Sequence, residues 1–168
     1  MKENNMKKNL ILFLLVCCVG YMADAQSYEI VIRDNLARMN MEQNYKFTTD
    51  SLVITSVSDN GRTHVNYLNR KLTPEEKKTL TVFMQKFPAD SIKEVYFDGY
   101  SNYEIIDDEH FPRSIDLMIT KKNIIYVSKA TNSWVRLYDQ LFEVVNKMIP
   151  AEARIAYDKS KFNVFYNE

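Results

Sequence analysis

The sequence predicts a single α+β domain, built as a mainly antiparallel sheet with helices packed on one face. Three observations predict it. Segments rich in β-branched residues come in pairs joined by turn formers, as in SLVITSVS, then Asp59-Asn60-Gly61, then RTHVNYL. Two amphipathic runs interrupt these pairs. One opens with Thr73-Pro74-Glu75-Glu76, and the other carries Trp134, Leu137, Leu141, Val144, Val145 and Met148 on one face. No linker, low-complexity run or internal repeat divides the chain.

Residues 1–25 read as a secretory signal peptide and residues 26–168 as the domain. Lys2, Lys7 and Lys8 form a basic start. Residues 10–19 are an apolar run, half the length of the roughly 20 residues that a spanning helix needs. Ala23-Asp24-Ala25 then offers the small residues that a signal peptidase reads before Gln26. A lipid anchor would require Cys17 or Cys18 to follow a small residue. They follow Val16 and Cys17, which makes a poor lipobox.

Residues 27–41 read two ways. Tyr28, Ile32, Leu36 and Met39 fit a helical stripe, whereas Tyr28, Ile30 and Ile32 fit alternation. The helix is the reading taken. Residues 51–58 and 62–68 form a hairpin around Asp59–Gly61, because Asn and Gly tolerate positive φ. Thr73 caps a helix with Pro74 in its first position and Glu76 closing the capping box. Leu80, Phe83, Met84 and Phe87 give it an apolar stripe, and Pro88 stops it. Residues 93–97 form a short strand closed by Asp98-Gly99, with Val95 and Phe97 inward and Tyr96 outward. Residues 114–120 and 123–129 form a second hairpin around Lys121-Lys122. Asn132 caps a helix that runs to Met148 and stops at Pro150. Residues 153–157 add a last strand, and the tail beyond frays.

Export places the protein in the periplasm or outside the cell. Both cysteines lie in the leader, so the mature chain has no disulfide, thiolate metal site or cysteine nucleophile. It must hold itself by its core, which a chain of this length can do. The 22 basic and 22 acidic residues balance, and loss of three lysines and two acids with the leader leaves a formal charge of −1. That excludes a phosphate-collecting basic field, so nucleic acid is not an expected partner. No polybasic or strongly apolar stretch of the mature chain points to a membrane surface after cleavage.

The Lys-rich start and the Ala-Asp-Ala ending before Gln26, followed by DSLVITSVS, LTPEEKKTL and YFDG, resemble small uncharacterised exported proteins of the Bacteroidetes. The resemblance implies an exported compartment and carries no activity.

The chemistry-bearing motifs are mostly exclusions. The mature chain keeps only Gly61 and Gly99, too few for a phosphate-cradling loop. It has no G-x-S-x-G elbow and no H-E-x-x-H, and His64 and His110 cannot supply a three-histidine zinc site. His64, beside Asn66 on one strand face, reads as an ordinary strand histidine. No cofactor is expected.

The segment YFDGYSNYEIIDDEHFP (residues 96–112) stands out. Tyr96, Asp98, Tyr100, Tyr103 and Phe111 are the candidate ligand-binding residues, since tyrosine and phenylalanine give large contact area at low rotamer cost. Asp107, Asp108 and Glu109, next to His110, are weak candidates for a hard cation. Consecutive side chains do not converge on one centre, so a solvated acidic loop explains them better. Asp98 before Gly99 is also explained by turn chemistry. The leading expectation is an exported, non-enzymatic binding or interaction module for a protein, peptide or glycan, using this segment and the adjoining sheet edge. Two alternatives compete with it. One is a small hydrolase with Asp98 and Glu109 as paired carboxylates. The other is a structural subunit of an envelope assembly, marked by an exposed apolar patch or an unpaired strand edge.

Overall fold

Alternation, not helical periodicity, decides the first element. In the computed structural model, which describes residues 27–36, 41–58, 63–97, 113–162 and 164–167, Tyr28–Leu36 is strand β1 and not a helix. Tyr28, Ile30 and Ile32 are buried on one face, and Asp34 continues the same row. Met41–Thr48 (β2), Ser51–Ser58 (β3) and Thr63–Lys71 (β4) complete an antiparallel meander. β2 is a strand that the sequence reading passed over. Asp59–Gly61, the expected hairpin turn, lies outside the described residues.

Helix α1 (Pro74–Lys86) starts as its residues dictate. The Thr73 hydroxyl accepts from the Glu76 N–H, and the Glu76 carboxylate accepts from the Thr73 N–H. This reciprocal cap satisfies two otherwise orphaned donors. Arg70 clamps the same carboxylate with two bonds, at 2.7 and 2.6 Å, and reaches the Met148 carbonyl at 2.7 Å. β5 (Val95–Phe97), β6 (Arg113–Lys121) and β7 (Ile124–Thr131) finish the main sheet, in the order β4-β3-β2-β1-β6-β7-β5. Every pairing is antiparallel except β5 with β7. The β6–β7 turn is Lys122-Asn123, one residue later than the expected Lys121-Lys122, because Lys121 still pairs with Ile124. Both turn residues lie in the left-handed region, as a two-residue hairpin turn requires.

Several expectations are corrected after β7. Ser133–Val135 is a strand, β8, and helix α2 spans Arg136–Val145, shorter than the expected 132–148. Asn132 does not cap it. It sits at φ 48° and its side-chain oxygen accepts from the Arg113 N–H at 2.8 Å, which ties down the start of β6. Residues 153–157 bury Ala153, Ile155 and Tyr157 in alternation yet form no strand, because the Asn146 amide bonds both backbone groups of Ile155 in place of a neighbouring strand. The tail does not simply fray: Val164–Tyr166 is strand β9, paired in parallel with β8.

Both helices bury their apolar sides against one face of the sheet. Leu80 and Met84 of α1 join Leu137, Tyr138, Leu141, Phe142 and Val145 of α2 in one core with the inward row of every central strand. A tyrosine-rich cluster anchors the β5 side: Tyr138 packs on Tyr96 at 5.9 Å and on Phe142 at 5.8 Å. Burial raises the Tyr138 and Tyr157 phenols well above their ordinary range, so both stay protonated donors. Tyr138 donates to Ser128 at 2.7 Å, and Tyr157 donates to the Ser133 carbonyl at 2.8 Å. No helix among the described residues is long and apolar enough to cross a membrane.

Candidate functional site

Neither described helix packs on the second face of the sheet, so its side chains bear directly on what the surface is for. The register places Val31, Met118 and Val127 in one row across β1, β6 and β7. The next row is charged: Arg33, Asp116 and Lys129, with Lys129 3.7 Å from Asp116. Toward β2 the face is polar, and Lys46 meets Glu29 at 2.8 Å. Toward β5 it is apolar. Val95 is 61% exposed, Phe97 52%, Ile125 62% and Val127 60%. The four are spread along this side of the sheet, Ile125 and Val127 on β7 before the charged Lys129, and Val95 and Phe97 on β5 level with Lys129 and Thr131. Burying each would be favourable at about 25 cal/mol per Å² of apolar area.

Val95 and Phe97 face outward because the middle residue of β5 points the other way. Tyr96 is fully buried, with its ring 4.9 Å from Tyr166 and its hydroxyl accepting from the Lys93 N–H at 2.9 Å. The expected polarity of β5 is therefore reversed: Tyr96 is inward, and Val95 and Phe97 are outward. All three residues are apolar or aromatic, so alternation fixes their sidedness only as a pair of options, and the tyrosine cluster selects between them. Tyr96 thus acts as a core anchor and presents no surface for contact. Asp98, Tyr100, Tyr103 and Phe111 lie outside the described residues, as do Asp107, Asp108, Glu109 and His110. Their attachment points are described: Phe97 and Ser114 both pair with Thr131, so the segment leaves and re-enters the sheet on either side of the same end of β7.

That end is built around a buried ion pair. Asp34, 3% exposed, receives both the Nε and a terminal nitrogen of Arg113, the first at 2.8 Å. Arg113 also donates to the Ala156 carbonyl and lies 5.9 Å from the Tyr157 ring centre. Tyr45 stands nearby, its hydroxyl 2.9 Å from the Ala153 carbonyl. Burial raises its phenol pKa and Asp34 adds to the rise, while Arg113 opposes it. Each group here is occupied by its neighbours, so the cluster fixes the entry of β6 and offers no free acid or base.

A second concave surface runs along the outer side of α1. The groove holds about 840 Å³ and is walled by Val82, Phe83 and Pro88, with Lys78, Lys86 and Gln140 at its rim. Phe83 and Phe87 stack there at 5.1 Å. Among the described residues no group of three or more His, Cys, Asp or Glu converges to hold a metal ion. The exposed apolar side of β5 and β7 was the feature that sequence reasoning missed. The signal for it lay in NIIYVSK, where Ile125 and Val127 fall on the face opposite Tyr126 and Ser128. No protein-family model, curated protein or solved structure matches this chain.

Proposed function

We propose that this chain is an exported, non-enzymatic interaction module, and that its contact surface is the apolar side formed by Val95, Phe97, Ile125 and Val127 on the second face of the sheet. One observation carries the reading: four large apolar side chains, each more than half exposed, lie on the outward face of the neighbouring strands β5 and β7, where no described helix covers the sheet. Apolar area of this kind is retained at the surface of a folded domain when a partner covers it. The aliphatic character of this side favours a protein or peptide over a glycan, which would call for exposed aromatic platforms and polar hydrogen-bonding groups.

The test is selection of a random-peptide display library on the mature chain, residues 26–168. Enriched peptides should bind the native chain and lose at least tenfold in affinity on the Phe97→Ser and Val127→Ser variants, whose melting temperatures should stay near that of the parent. Enriched peptides indifferent to both substitutions would move the site elsewhere. A library that yields no enrichment would overturn peptide recognition.

A further inference from the structure

Among the described residues, only half of the edge of β7 is covered. β5 pairs with Lys129, Ala130 and Thr131, and the two residues before it are tied to the same end of β7, with the Glu94 carbonyl accepting from the Lys129 N–H at 2.9 Å and the Lys93 carbonyl accepting from the Ser128 hydroxyl. In a strand, alternate residues direct their N–H and C=O to the same side. Lys129 faces the β5 side, so Val127 and Ile125 face it too, beyond the reach of β5. Among the described residues, the stretch with no backbone partner on this side runs from the Lys122-Asn123 turn to Val127, and Ile125 is at its centre.

We propose that the partner covering this edge is a second copy of the chain, joined through antiparallel β7–β7 pairing about a twofold axis at Ile125. The inference rests on the interaction-module reading and names the partner of part of that surface. Three features match under this one operation. Ile125 faces its own copy, both with outward backbone groups, so each N–H meets a carbonyl. Val127 falls opposite the copy's Asn123, where the strand ends, so the copy's turn leaves room for β5. The exposed, acidic Glu94, one residue before β5, falls beside the copy's exposed Lys122, and the symmetry makes this contact twice. An extended strand added to an open edge takes its affinity from main-chain bonds, and charge contacts at the ends set its register.

Sedimentation velocity on the mature chain over a wide concentration range tests this. A monomer–dimer equilibrium is expected. Ile125→Lys, at a site already 62% exposed, should raise the dimer Kd by at least tenfold without a change in melting temperature. Glu94→Lys and Lys122→Glu should each weaken the dimer severalfold, and the two together should restore it. A chain that stays monomeric throughout would overturn the proposal. So would a dimer indifferent to Ile125→Lys, or a double variant no tighter than either single one. A strictly monomeric chain that still selects peptides through Phe97 would leave the interaction-module reading standing and remove only the self-pairing.

Discussion

The two edges of the main sheet are built differently. β4 is a full-length strand whose exposed residues include Asn66, Asn69 and Lys71, and its ladder is broken by an irregularity between Ile54 and Thr55 that leaves Tyr67 unpaired. Its inner end is pinned by the Arg70 clamp on Glu76. Polar residues and a local bulge are the ordinary means of stopping one sheet from adding to another. The opposite edge shows no such irregularity in its register, although Lys122 and Lys129 are exposed along it. β5 is three residues long, β7 runs straight past it, and the uncovered part bears Ile125 and Val127. A bulge marks one edge, and on the other the described residues leave Ile125 and Val127 without a neighbouring strand.

The largest test of that contrast removes what holds β5 in place. Tyr96→Ala deletes a fully buried ring that packs on Tyr138 and Tyr166, and should cost about 3–5 kcal/mol in chemical denaturation. It should also promote concentration-dependent aggregation, because the whole of β7 would then be an open edge. An unaltered stability would mean that β5 is not anchored through this side chain. The next test loosens the β4 edge. Arg70→Met leaves the Met148 carbonyl and one side of Glu76 without their donor, and should cost about 1–3 kcal/mol.

The same variant has a pH signature. Glu76 is held below its usual carboxylate pKa, first by the Arg70 hydrogen bond and then by the Thr73 cap, against the opposing effect of burial. A pKa lowered by folding stabilises the protein above the unfolded value, about 4.3. That contribution is lost as the pH falls through the folded value. Melting temperature should therefore fall less steeply with acid below about pH 4.5 in Arg70→Met than in the parent. Equal slopes would remove the Arg70–Glu76 pair as a source of acid sensitivity. The smallest effect serves as a control on the β4 edge. Val65→Lys, on exposed β4, should shift stability by no more than about 0.5 kcal/mol and leave sedimentation unchanged. A change in sedimentation would show that the β4 edge also takes part in association.

The class of the fold was legible because its strongest signals are local. The Thr73–Glu76 cap, the β-branched run of β3 and the two-residue β6–β7 turn each depend on neighbours in the chain. β1 misled for a geometric reason. Tyr28, Ile32 and Leu36 are four apart, and residues four apart share a face on a helix and on a strand alike. Only Ile30, a strand-phase residue, separates the two, and only its burial resolves the choice. β2 was passed over because the polar run Glu42-Gln43-Asn44 leaves only Tyr45 and Phe47 to carry its alternation. Asn132 has the chemistry of a helix cap, yet its side chain serves a strand that begins 19 residues earlier, a long-range partner that no local pattern reports. The candidate site was legible in place more than in character. The segment after β5 drew attention through its aromatics, whereas the exposed apolar side is made by residues of two strands that meet only once the sheet has formed.

The position of β1 also has a kinetic consequence. It is the central strand, with β2 on one side and β6 on the other, and its last residue, Leu36, pairs with Arg113. β1 to β4 can zip together through short connections, each a fast local event. Joining β6 to β1 must instead close a loop of nearly half the chain before any contact rewards it. The middle of the finished sheet is therefore the seam where two separately assembled halves meet, with the Asp34–Arg113 pair as its fastening.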